Sequence, residues 1–275
     1  MWPNQAILVA MIIEWNHHLF SSDTARYPFH PRAVYVPEVT HLAEEPLTGY
    51  LAHLQHAGID RAVVVQPEPY GDDHRLVLDC LRRAPDQLRA TALFYPRDDD
   101  APLRLAALVK QEPRIVAVRF HAHRGKEMYL RNFADAGVRN LWRAAANLGI
   151  WVELHIGPNY AQQAGEAFAA FPGVPVLIDH LAEPAFGNAA EYAQVLELAR
   201  FDNVWMKLSG VPHFSDDPPY FASAGPFVRR VAAEFGPDRM VWGGETPALV
   251  DALLPHWSEA ERAQVKGGNL AHLFE

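Results

Sequence analysis

The sequence predicts an α/β fold, a single (β/α)8 TIM barrel, on three observations. Short β-branched or apolar runs alternate with amphipathic stretches of about ten to fifteen residues along nearly the whole chain, the pattern of βαβ units around a parallel sheet. Eight of each can be counted, and 275 residues suit a barrel of that count. No GxGxxG or GxxxxGK[ST] follows any of the apolar runs, which disfavours the open doubly wound sheet.

The elements follow in order. A first strand is expected over 7–16, where Ala6 to Ile13 form the longest apolar run. That run is far short of the ~20 residues of a membrane helix. No Lys or Arg precedes it, and Glu14-Trp15-Asn16-His17-His18 stands where a signal peptide would have a small-residue cleavage site. Further strands are expected at 61–66, 88–94, 114–120, 151–156, 175–179, 203–208 and 239–243. Helices are expected at 47–56, 72–84, 101–111, 134–148, 159–171, 189–200 and 224–235, with 248–267 in one or two pieces. Gly58 and Gly149 fall where a left-handed helix cap is wanted, and Pro85, Pro113 and Pro172 stop the helices before them. The polar segment 20–45 reads as a loop over the barrel mouth. No Pro- or Ser-rich linker divides the chain, so residues 1–275 read as one domain.

Composition narrows the function classes. With 24 Lys+Arg against 33 Asp+Glu and no basic run, neither nucleic acid nor a membrane surface is an expected partner. A monomer or homodimer is expected. A single cysteine, Cys80, forms no internal disulfide, which fits the cytoplasm. Cys80 lies in a helical pattern with no activating base and reads as core, while His53 and His56 read as surface residues. Ser209 lacks a GxSxG elbow and reads as a substrate contact before a nucleophile.

Polar residues gather at the C-terminal strand ends, the face where barrels of this kind keep their chemistry. By strand parity, Glu14, Asn16 and His18 share a face, as do Arg119 and His121, and Glu153 and His155. His180, Lys207, Ser209 and Glu245 close the remaining strands. Such groups are costly in a barrel core, so their convergence points to a site. For Lys207 two readings stand level: a hold on the substrate, or a structural ion pair with Glu153.

These residues resemble the amidohydrolase superfamily, and within it a lactonase-like branch. Ile13-Glu14-Trp15-Asn16-His17-His18-Leu19-Phe20 is similar to its D-x-H-x-H-L-F opening. Val116-Ala117-Val118-Arg119-Phe120, His155-Ile156-Gly157, Ile178-Asp179-His180-Leu181, Lys207-Leu208-Ser209-Gly210 and Val241-Trp242-Gly243-Gly244-Glu245 then arrive in the branch's order. Two positions depart from the pattern: Asn16 replaces the first histidine of H-x-H, and Glu245 replaces an Asp.

The resemblance implies a small anionic substrate, a carboxylated or sugar-acid lactone, hydrolysed by water attack on its carbonyl. Glu245 would be the base, with His18 and His180 stabilising the oxyanion. Asn16, Arg119, Arg124, His155, Lys207 and Ser209 would bind the substrate. Because an amide oxygen is a poor ligand for a first-row metal, no cofactor is favoured. The competing expectation is Zn2+ or Mn2+ on His18, His155 and Glu245. The same residues leave open a lactone isomerase, a metal-dependent C–N or C–C hydrolase or decarboxylase, and a ligand-binding barrel without catalysis.

Overall fold

The computed structural model describes residues 11–122 and 129–275. Eight parallel strands run in sequence order around a nearly closed barrel: β1 (Ile13–Trp15), β2 (Arg61–Val65), β3 (Leu88–Leu93), β4 (Ile115–His121), β5 (Trp151–His155), β6 (Val176–Ile178), β7 (Val204–Leu208) and β8 (Met240–Trp242). Between them lie α1 (Pro46–Ala57), α2 (Arg75–Arg83), α3 (Ala101–Gln111), α4 (Ala136–Leu148), α5 (Ala161–Ala170), α6 (Ala189–Glu197) and α7 (Gly225–Phe235). The last helical stretch falls into two pieces, α8 (Ala248–Leu253) and α9 (Glu259–Lys266). Each predicted strand and helix is present. β1 is shorter than expected, and the beginning of that expectation lies outside the described residues. No described helix is long and apolar enough to cross a membrane.

Local chemistry sets the helix ends. The Glu45 carboxylate accepts from the Leu47 and Thr48 amides, satisfying N–H groups that the first turn leaves unpaired. Gly58 closes α1 in the left-handed conformation at φ 68°. Asn188 and Ser258 form reciprocal capping boxes with Glu191 and Glu261.

Alternation along the strands sorts the core into two layers. Trp15, Val63, Val65, Ala117, Trp151, Leu177 and Val241 fill the barrel interior, and Leu270 and Phe274 pack with them. Ala62, Val64, Val118, Val152 and Leu154 face the helices. Glu14 pairs in register with Ala62 and belongs to the outer layer, where it accepts a 2.8 Å hydrogen bond from Tyr50 of α1. The expected shared face of Glu14 with Asn16 and His18 is therefore corrected: β1 ends at Trp15, and the alternation does not continue through Asn16. His17 stacks on Tyr50 of α1 at 3.9 Å, on the helix side of the strand. Cys80 is buried, and loss of hydration pushes its thiol up to about 12.

Where β1 meets β8, a Cβ on Gly243 would lie 2.1 Å from the Trp15 carbonyl oxygen, so only glycine lets the two backbones approach. Gly49, exposed in α1, has nothing within 4 Å of the same position. Gly243→Ala is expected to cost about 1–3 kcal/mol through forced displacement of packed backbone. Gly49→Ala is expected to gain about 0.5–1 kcal/mol by helix propensity. Urea unfolding of the two variants checks both signs.

Candidate active site

Above the apolar interior lies a layer of four buried charges. The Lys207 ammonium sits 2.5 Å from Glu153 Oε1 and 2.6 Å from Asp179 Oδ1, all three side chains being sealed from solvent. Arg119 donates from Nε and Nη2 to Asp179 Oδ2, at 2.9 and 2.5 Å. The Trp15 indole donates to the other Glu153 oxygen at 3.1 Å. Burial opposes ionisation of Asp179, but Lys207 and Arg119 outweigh it and hold its carboxyl below the ordinary range.

Over this layer opens a cavity of about 550 Å3, lined among others by Asn16, His18, Arg119, His155, His180 and Glu245. These six expected residues are brought together at the C-terminal strand ends. Lys207 and Ser209 do not line it. Lys207 is spent on Glu153 and Asp179, so the ion-pair reading holds and a substrate contact is corrected. Ser209 is fully buried, with its hydroxyl 2.8 Å from His180 Nδ1, and it positions that ring instead of meeting substrate. Arg124 lies outside the described residues.

Hydrogen-bond partners fix what each imidazole offers. His18 Nδ1 lies 2.8 Å from the Val65 carbonyl oxygen, which only accepts, so the ring proton is on Nδ1 and Nε2 carries a lone pair. Loss of hydration, with the Arg119 charge, lowers its pKa to about 3, so the ring is neutral. His18 is therefore an acceptor, and its expected role as an oxyanion donor is corrected. His155 accepts from Arg119 Nη2 at Nδ1 (3.0 Å) and donates from Nε2 to Glu183 (2.8 Å). His180 is held well below its ordinary range, first by burial and then by Lys207 and Arg119, and is also neutral.

Backbone strain concentrates here. Residues 180–183 take four consecutive left-handed conformations, with φ of 51°, 53°, 58° and 48°, and none is glycine. Each costs on the order of 1–3 kcal/mol. The run turns His180 and Glu183 into the cavity, with the Leu181 carbonyl anchored by the Tyr192 hydroxyl at 2.6 Å. Gly210 (φ 63°) lets the His180 ring lie against its backbone, since a Cβ there would meet the ring at 2.8–2.9 Å. Glu245 is left-handed too, at φ 53°, and stands exposed at the mouth without a hydrogen bond among the described residues. The surrounding walls strip part of its hydration and, with His213 opposing and Glu14 assisting, push its carboxyl up to about 7. Asn16 Oδ1 is a buried acceptor with no protein partner among the described residues, suited to a donor on water or substrate.

Sequence reasoning did not assign Glu68, His121, Glu183 and His213, which also line the cavity. His121 shares the Arg119 parity and was within reach of that signal. Glu183 and His213 stand on irregular turns, where parity says nothing.

The amidohydrolase family profile matches residues 13–273. The chain belongs to the amidohydrolase family. A 4-sulfomuconolactone hydrolase of Rhizobium radiobacter is 26% identical over 242 residues, 85% of this chain and 75% of that one. An L-fucono-1,5-lactonase of Burkholderia ambifaria is 28% identical over 252 residues, 80% of this chain and 82% of that one. A zinc-bound amidohydrolase of Burkholderia multivorans superposes with a TM-score of 0.71 at 19% identity, over 96% of this chain and 99% of that one, a likeness of fold.

Whether this amidohydrolase suits a metal is decided by its own donors. Among the described residues, ligand atoms of His155, Asp179 and His180 lie within 4.8 Å of one another. The expected set of His18, His155 and Glu245 is thereby corrected, since both His155 nitrogens are engaged. In the observed cluster Asp179 already carries Arg119 and Lys207, so a divalent ion there would be opposed by two fixed cations. Lys207→Met removes the cation and leaves Glu153 and Asp179 undercompensated, so a loss of about 3–5 kcal/mol is expected in urea unfolding.

Proposed function

We propose that the protein hydrolyses a small carboxylated or sugar-acid lactone by water attack on the ring carbonyl, without a metal ion. The observation that carries the reading is Glu245: a carboxylate at the cavity mouth, free of hydrogen bonds among the described residues, with its carboxyl pushed up to about 7. A base works best when its pKa lies near the working pH, and this one is so placed by its surroundings. The lactonase names of the two relatives support the substrate class.

Glu245 takes a proton from water as the oxygen attacks the carbonyl carbon. Asn16 Oδ1 and His18 Nε2 are acceptors and orient that water or a substrate hydroxyl. The developing oxyanion needs donors. With the Ser209 hydroxyl donating to Nδ1, His180 carries its proton on Nε2 and supplies one. Arg119 Nη1, which makes no hydrogen bond among the described residues, supplies another from a guanidinium fixed in place by Asp179. Arg124 is the proposed partner of a substrate carboxylate.

A pH-indicator screen of lactones tests the reading; the panel holds a sugar 1,5-lactone, a pyrone dicarboxylate, δ-valerolactone and dihydrocoumarin. Turnover of at least one is expected, with kcat/KM rising through about pH 7 on the acid side, because only the ionised Glu245 accepts the proton. Glu245→Gln is expected to lower kcat on the order of 100-fold or more. Retention of near-normal turnover by that variant would remove Glu245 as the base.

The raised carboxyl also carries a stability signature. Ionisation is less favourable in the folded chain than in the unfolded one, so wild-type stability falls as pH rises from the ordinary carboxylate range through about 7. Glu245→Gln lacks this loss. Thermal unfolding is expected to show the variant gaining on wild type at pH 8 relative to pH 4.

A further inference from the structure

Lactone opening also needs a proton at the ring oxygen, and a second carboxylate–imidazole pair stands in the same cavity. His213 ends the tight turn Val211–His213 that follows β7. Its Nδ1 lies 2.9 Å from Glu183 Oε2 and 3.2 Å from Oε1. Glu183 is only 1% exposed, whereas the His213 side chain is 47% exposed. Since a carboxylate only accepts, Glu183 fixes a ring proton on Nδ1, and its charge complements an imidazolium that transfers its proton from Nε2. His155 donates to the same carboxylate from the other side at 2.8 Å, so Glu183 is clamped between two imidazoles. The His213 ring lies 5.3 Å from that of His180 and close enough to Glu245 to act on its ionisation.

We infer that His213, held by Glu183, is the general acid that protonates the departing ring oxygen; this rests on the lactone-hydrolase reading. Water attack leaves a proton on Glu245 and the carbonyl electron pair on oxygen. As the C=O bond re-forms, the ring C–O bond breaks and its electron pair goes to the ring oxygen, which takes the proton from His213 Nε2. The proton held by Glu245 then returns to His213 and resets both groups, so lactone and water give the hydroxy acid. His213 is the catalytic residue in this step. Glu183 is a positioning residue, acting through His213.

A bland role, in which His213 merely neutralises a buried carboxylate, affects all lactones alike. A general acid does not. An alkoxide leaving group, nearly as basic as hydroxide, needs the proton, while a phenoxide, whose conjugate acid has a pKa of about 10, leaves without it. The test compares wild type, His213→Ala and Glu183→Gln on δ-valerolactone and dihydrocoumarin. His213→Ala is expected to lose about 100-fold or more of kcat on the aliphatic ring and no more than a few-fold on the aryl ring. Glu183→Gln is expected to show the same asymmetry to a smaller degree, because the amide still accepts from Nδ1 without the charge. Equal losses on the two lactones, or no loss on δ-valerolactone, would overturn the inference while leaving lactone hydrolysis standing. A wild-type protein inert on the whole lactone panel would overturn the hydrolase reading, and the inference with it.

Discussion

The structure depends on one arrangement: Lys207 held between Glu153 and Asp179, with Arg119 on the far side of Asp179. Ions out of water are expensive, and mutual attraction repays that cost only with good geometry and further hydrogen bonds. Both Glu153 oxygens and Asp179 Oδ2 accept hydrogen bonds, from Lys207, Trp15 and Arg119, while Asp179 Oδ1 is compensated by the Lys207 charge alone. The layer also stands at one definite height in the barrel, between the Trp15 and Trp151 layer and the cavity floor. It fixes Arg119, and Arg119 in turn fixes the tautomer of His155, which anchors Glu183. Orientation at the mouth is thus set from beneath by electrostatics.

A second feature works against stability. Four left-handed residues in succession after β6, and another at Glu245, are conformations that side chains other than glycine disfavour. They persist because the surroundings over-determine them, through the Tyr192 contact to Leu181 and the close seat of His180 on Gly210. What they achieve is placement: an extended strand would send His180 and Glu183 along the barrel axis, while the left-handed turn folds both over the cavity floor. A left-handed backbone and a raised carboxyl pKa coincide at Glu245, where the proposed proton transfer takes place.

The fold was legible because both periodicities are strong. α3 was expected and found at the same bounds, and β5 ends one residue early. The site was legible in direction but not in depth. Parity correctly turned Arg119, His155 and Lys207 inward, yet it carries no height, and Lys207 sits below the floor while His155 stands above it. Glu183 and His213 were out of reach because left-handed runs of non-glycine residues and 3-10 turns have no periodic signature. The role of His18 was out of reach for another reason. Its tautomer is set by the Val65 carbonyl, a backbone group that every sequence possesses.

Lys207 and Arg119 both pair with Asp179, and in the proposed mechanism water is activated by a carboxylate. The direct measurement is lactone turnover before and after exhaustive chelation, with metal content determined on the same protein. Undiminished turnover at well under one metal per chain is the expected result. Loss of turnover on chelation, restored by one equivalent of Zn2+ or Mn2+, would contradict the metal-free mechanism.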